Sequence, residues 1–196
     1  FAYLMVAASD WCVAGKFGLI QWAAMPLWLT IIAGLLLLDL VGAYAIHFIQ
    51  HKIKWLWKFH MVHHADTHVD TTTANRHHPG ESVFRAVFTI IAVFVTGAPM
   101  WLIMMYQTLS AVTSQFNHSN INIPEWLDRP LRYIIVTPRM HRIHHHYVRP
   151  ETDTNFSNIF SVWDRVFGTY LCRPNESLRY GLDVLEGRND ESIAAM

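Results

Sequence analysis

His60-Met61-Val62-His63-His64 decides how this chain reads, because its spacing returns as His141-Arg142-Ile143-His144-His145. Upstream of both stands His47-Phe48-Ile49-Gln50-His51. On a helix, residues three and four apart share one face. His47 with His51, His60 with His63 and His64, and His141 with His144 and His145 therefore form three local prongs. The prongs supply eight imidazoles, more than one tetrahedral ion takes. A site for two metal ions, walled almost entirely by histidine, is the simplest reading. Imidazole suits iron, zinc, copper and nickel alike, so ligand type leaves the ion open. A pH-sensitive polar patch would account for one such motif but not for three together.

Composition sets the surroundings. The 196 residues are 52% hydrophobic and 15% charged, against about a quarter charged in an average soluble domain. That length suits one domain with a full core. Formal net charge is zero, which gives a nucleic-acid partner no electrostatic support. Cys12 and Cys172 form no CxxC pair, which excludes a cysteine-ligated iron–sulfur cluster and a disulfide framework. The chain begins at Phe1 without a signal-peptide pattern, and we read its N-terminus as incomplete.

Hydropathy divides the chain into 1–46 and 83–116 as membrane helices, and 47–82 and 117–196 as a cap bearing the histidines. Residues 1–14 are apolar but short of the roughly 20 residues that a span needs, and Lys16 and Gly18 mark a turn. Leu19 to Ile46 is the strongest transmembrane candidate and runs directly into His47. Lys52, Lys54 and Lys58 beside Trp55 and Trp57 suit the headgroup region. Val83–Phe116, broken at Gly97-Ala98-Pro99, reads as a helical hairpin that returns the chain to the same side. Fourteen of the fifteen Lys and Arg residues lie at or after Lys52. The positive-inside rule then puts the histidines on the cytoplasmic face, of a bacterial inner membrane or one of the endoplasmic-reticulum type. A soluble protein with buried apolar helices is disfavoured by the length of the Leu19–Ile46 block.

Among single histidines, His118 ends the hairpin's return helix and is expected as a ninth ligand. His78, in His77-His78-Pro79-Gly80-Glu81, stands evenly between ligand, a partner behind the ligands and plain loop residue. His68, His77 and His146 are expected at the surface or behind the ligands. A metal-bound imidazole usually donates its other N–H to a carboxylate or carbonyl. The candidates for that role are Asp39, Glu81, Asp153, Asn155 and Asp164. Asp39 is the most telling, an ionisable residue within an apolar run.

These residues resemble the fatty acid hydroxylase/sterol desaturase superfamily of membrane-bound di-iron enzymes. The resemblance runs from about residue 39 to 170. It includes Asp39 with Tyr44, the three histidine motifs, Thr72-x3-Arg76-x-His78-Pro79-x-Glu81 and Gln115-Phe116-x-His118-Ser119-Asn120. It continues through Thr137-Pro138, Glu151-Thr152-Asp153-x-Asn155 and Trp163-Asp164-Arg165-x-Phe167-Gly168-Thr169-Tyr170. It implies an all-α integral membrane protein whose cytosolic helical cap holds two irons. His47, His51, His60, His63, His64, His118, His141, His144 and His145 would be the ligands, although a purified sample can still hold zinc.

The chemistry implied is O2-dependent hydroxylation, or desaturation, of a C–H bond in a lipid, sterol or carotenoid-type substrate entering from the bilayer. Electrons would come from a reductase, ferredoxin or cytochrome b5 type of donor, since no flavin, haem or iron–sulfur motif is present. Three departures stand out: Phe48 where the family often has Arg, Phe156 in place of a Tyr, and the additional His146. The alternative reading is a non-catalytic metal-binding membrane subunit scaffolding a larger complex. A zinc hydrolase is disfavoured, since three protein ligands and an open water position would suffice for it.

Overall fold

Proline and glycine set the helix boundaries. The computed structural model describes residues 1–173 and 178–183. Its first helix, α1 (Ala2–Ala14), ends at a turn in which Lys16 takes a positive φ of 50° and Gly18 one of 104°. A short α2 (Leu19–Trp22) follows, and then the chain extends through Ala23 to Pro26. Pro26 has no N–H and a fixed φ, so the expected single helix Leu19–Ile46 is split and its long segment starts afresh as α3 (Leu27–Asp39). From there the helix runs without a break through a π-helical segment (Leu40–Ala45) into α4 (Ile46–Lys52). The π segment sits one residue ahead of His47, where such widened turns commonly re-aim functional side chains.

Ile53, in an extended conformation, turns the chain into α5 (Lys54–His64). The hairpin is as expected. Helix α6 (Pro79–Thr96) has proline at its first position, and the His78 ring accepts the Gly80 N–H. It ends on Gly97 at φ 68°, and α7 (Met100–Asn117) starts after Pro99. The remaining helices are short: α8 (Glu125–Leu131), α9 (Pro138–His144) and α10 (Val162–Val166). No strand occurs among the described residues, only the isolated bridges Ile135–Phe160 and His146–Tyr180.

Among the described residues, three stretches are long and apolar enough to cross a membrane: Ala2–Trp22, Leu27–Lys52 and Pro79–Thr96. The first reaches 21 residues only by joining α1, the turn at Lys16 and Gly18, and α2; α1 alone, with 13 residues, is as short as the 1–14 block suggests. The second carries His47 and His51 within the long helix itself, not beyond its end. The bundle packs through Leu35, Leu38, Ala92, Val93, Leu102 and Ile103, with Ala8 and Ile20 from the N-terminal helices.

At the end of the bundle away from the histidines, two turns clasp each other. A Cβ on Gly18 would lie 2.3 Å from the Gly97 nitrogen, and one on Gly97 would lie 2.2 Å from the Phe17 carbonyl oxygen. Gln21 Nε2 donates to the Gly97 carbonyl at 2.8 Å and Ser9 Oγ to the Ala98 carbonyl at 2.9 Å. Glycine is required at both positions by sign of φ and by space. Gly97→Ala is expected to cost about 2 kcal/mol, a fall of roughly 4–8 °C in melting temperature. Thermal unfolding of detergent-solubilised protein reads this, and an unchanged melting temperature would exclude the clasp.

Candidate metal centre

Helix geometry deals the histidines into two groups. His47, His51, His60, His64 and His144 can each bring one ring nitrogen within 4.8 Å of the others; His63, His118, His141 and His145 do the same. Each HxxHH motif is divided between the groups. At 3.6 residues per turn, the first and last histidines lie about 40° apart around the axis, while the middle one points well to the side. So His60 and His64 enter the first group while His63 enters the second. Helix α9 reverses this: His141 and His145, which follows its last residue, enter the second group and His144 the first. The two groups adjoin, His64 stacking on His145 with ring centroids 4.5 Å apart. All nine rings are buried, with at most 8% of their surface exposed.

In the first group the tautomers are set from behind. His47 Nδ1 donates to the Phe156 carbonyl at 2.7 Å and His144 Nδ1 to the Thr154 carbonyl at 2.7 Å. His60 Nδ1 donates to Glu81 Oε1 at 2.9 Å, and His51 Nδ1 lies 3.4 Å from Asp153 Oδ1. A carbonyl or carboxylate only accepts, so Nε2 of His47, His60 and His144 is left as a bare lone pair. Those three Nε2 atoms, Nε2 of His51 and both nitrogens of His64 are buried with no hydrogen-bond partner among the described residues.

The second group converges on His118. Its Nδ1 donates to the Ser114 carbonyl at 2.7 Å, and its Nε2 lies 3.1 Å from Nε2 of His63 and of His141 and 3.2 Å from that of His145. For metal–nitrogen bonds near 2.05 Å, the nitrogens of a tetrahedral site stand about 3.3 Å apart. Lone pairs buried against one another are costly unless something positive lies between them. The donor set therefore fits a metal ion in each group.

Electrostatics favours the same state. Burial pushes His63, His64, His141 and His145 well below the ordinary imidazole range, and neighbouring histidines push the same way. Burial lowers His118 to about 4 and His144 to about 3. At neutral pH these rings are uncharged, the form that binds metal.

The candidates for holding the outer N–H groups divide. Glu81 takes His60 and also His77, whose Nδ1 is 3.1 Å from Oε2, and Asp153 faces His51. Asp39, Asn155 and Asp164 touch no ligand-candidate ring through a hydrogen bond. Asp39 accepts the Ile159 and Phe160 N–H groups at 3.3 and 3.1 Å, tying the end of α3 to the cap. Asp164 accepts the Phe156 and Ser157 N–H groups, and Asn155 donates to the Met140 and Leu171 carbonyls. Both brace the segment whose carbonyls hold His47 and His144. They were expected on the imidazoles; the short carboxylate and amide side chains are instead consumed by local backbone groups.

Of the other histidines, His78 lies outside both groups and caps α6. His146 also lies outside both groups, its backbone bridging to Tyr180, and His68 is exposed. His77 stacks on His63 at 4.6 Å. Sequence reasoning missed the carbonyls of Ser114, Thr154 and Phe156, since any residue type supplies a carbonyl. Phe156 is fully buried and sets its ring edge-on to His47, His51 and His144, an apolar wall where a phenol would place a hydroxyl.

The comparisons with known proteins follow the same residues. The chain is similar to ornithine lipid hydroxylase OlsE of Rhizobium tropici, 29% identical over 80% of this chain and 45% of that protein. It is also similar to human alkylglycerol monooxygenase, 29% identical over 72% of this chain and 30% of that protein. A very-long-chain aldehyde decarbonylase, GL1-5 of Oryza sativa subsp. indica, is 30% identical over 74% of this chain and 25% of that protein. The chain thus spans less than half the length of these three relatives. No solved structure matches it significantly. Residues 31–169 match the fatty acid hydroxylase family model, reaching from the apolar core of α3 to the Thr169 that caps Asp164; the chain belongs to the fatty acid hydroxylase family.

Proposed function

We propose that this chain is a membrane-bound di-iron oxygenase that hydroxylates a C–H bond of a lipid. The observation that carries the reading is the convergence of nine buried imidazoles into a group of five and a group of four. Iron bound in both groups would supply O2 activation and one-electron redox chemistry. In the net reaction one oxygen atom enters the C–H bond, the other leaves as water, and an external donor supplies two electrons and two protons. Relatives named as a lipid hydroxylase and a monooxygenase favour hydroxylation over desaturation. Sterol and carotenoid-type substrates are the further members of the class.

The chain's own residues perform three tasks. Phe156 and Trp57 exclude water, Trp57 lying 4.8 Å from the His51 ring and 5.4 Å from that of His64. Backbone carbonyls and Glu81 hold the ring orientations, so little reorganisation accompanies metal binding. The long helix delivers His47 and His51 at the edge of the apolar bundle, which suits a substrate arriving laterally from the bilayer. The cap then faces the cytoplasm, on the positive-inside argument, where a reductase, ferredoxin or cytochrome b5 type donor can reach it.

Metal analysis of protein purified without chelator is expected to give two irons per chain. His144→Ala is expected to abolish O2- and reductant-dependent lipid oxidation. Absence of any bound metal would refute the oxygenase and leave a scaffold subunit within a larger complex.

Glu81 orients His60 and His77 together, so Glu81→Ala is expected to weaken metal retention by about 10–100-fold. Competition against a graded chelator measures it, and wild-type retention would contradict the role.

Acid should act on the metal-free protein in a definite direction. His118 and His144 stay neutral in the fold down to about 4 and 3, while the unfolded chain takes up protons near 6.5. The unfolded state therefore binds more protons between those limits, and stability falls as pH drops through that window. Denaturant midpoints measured from pH 7.5 to 4.5 are expected to decrease steadily, and a flat profile would contradict the burial of these rings.

A further inference from the structure

Two cavities meet at Arg85. The inner one, about 30 Å³, touches both histidine groups through His47, His60, His63 and His141 and is closed by His77 and Arg85. The outer one, about 290 Å³, is lined by Ser82, Arg85, Thr89, Tyr106, Gln107 and Ser110. His77 and Arg85 border both. Three elements descend together away from the histidines: His47 to Ala43 to Gly42, Glu81 to Arg85 to Thr89, and Ser114 to Ser110 to Gln107. Spacings of three and four keep the second and third series each on one helix face, and in the first series Ala43 borders the inner cavity and Gly42 the outer one. The outer cavity therefore leads from the histidine groups down into the apolar bundle.

Its chemistry is unlike that of its surroundings. Arg85 lies inside the stretch Pro79–Thr96, which is apolar enough to span a membrane. An ionisable side chain at such a place is costly and usually functional. Its contact with Glu81 is long, 3.5 Å through Nη1, and Glu81 Oε1 is already taken by His60 at 2.9 Å. Among the described residues Arg85 donates to no other acceptor, although a guanidinium carries five N–H groups in a fixed fork. Ser82 and Gln107 add further donors beside it.

We infer that Arg85 anchors an oxygen atom at the polar end of a lipid, with the hydrocarbon chain lying in the outer cavity. The inference rests on reading the histidine groups as the oxidising centre, and names the class of molecule presented to it. The ligand is a long-chain lipid bearing a carboxylate, ether or hydroxyl oxygen next to its chain.

The test is equilibrium binding of three sixteen-carbon probes to purified protein in detergent: palmitate, hexadecylglycerol ether and hexadecane. Palmitate alone binding above hexadecane identifies a carboxylate; both oxygen-bearing probes binding shows that an uncharged oxygen suffices. Either result supports the anchor provided that Arg85→Met weakens that binding about tenfold or more. Arg85→Lys, which keeps the charge but loses the fork, should fall between. Equal binding of all three probes, or indifference to both substitutions, would overturn the proposal. Iron content is measured on the same samples. A wild-type chain without iron would remove the oxygenase reading while leaving the binding result to stand on its own, and variants with full iron content show that lost binding is not lost folding.

Discussion

Everything in this molecule is arranged around uncharged nitrogen lone pairs held facing one another out of water. Nine imidazoles within a few ångströms cannot all be protonated there, because each charge would be desolvated and repelled by the next. Nor can they all satisfy one another, since His118 Nε2 meets three other ring nitrogens and, once its Nδ1 is committed to the Ser114 carbonyl, offers them one lone pair and no proton. Such an arrangement is held in place by donors on the far side of the rings, and it gains stability when a cation enters. The cap is built to supply that backing. Asp164 grips the Phe156 and Ser157 amides, Phe156 and Thr154 present their carbonyls, and those carbonyls fix His47 and His144.

Much of this was legible in the sequence. The hairpin, the nine histidines and the apolar bundle follow from residue type and spacing. Pro26 and Gly97 punctuate as proline and glycine do. What escaped was of three kinds. Helix continuity from Leu27 to Lys52 depends on a π segment that no composition signals. The partners of His47, His118 and His144 are backbone carbonyls, which carry no residue signature. Asp39, Asn155 and Asp164 looked like imidazole partners because carboxylates and amides often are. Each instead satisfies backbone amides or carbonyls close to the cap–bundle junction, where an unpaired backbone group would be as costly as an unpaired histidine.

The division of each HxxHH motif between the groups has a mechanical consequence. Helix α5 gives two rings to the first group and one to the second, and the second HxxHH motif, on α9 and the residue after it, does the reverse. Neither helix can shift without moving ligands of both groups at once. The separation of the groups is thus set by the 100° that one residue turns on a helix, not by loops that relax independently. Packed helices deform far less readily than loops, so the geometry between the two groups is among the stiffest in the chain.

That stiffness places the burden of selectivity elsewhere. A cluster whose rings are fixed on several sides by Glu81, Asp153, Phe156 and the carbonyls behind them cannot adapt by moving to what comes near it. Selection then falls to what is allowed to approach, and the outer cavity runs between α6, α7 and the π segment. There the helices carry Ser82, Arg85, Thr89, Gln107 and Ser110 where lipid-facing residues would be apolar. Gly42 belongs to the same wall: a Cβ there would come within 3.3 Å of the Tyr106 hydroxyl, so the π segment keeps the passage clear with its smallest residue. The same bundle that positions the histidines therefore also shapes the passage leading to them, which ties the identity of the ligand to residues outside the histidine motifs.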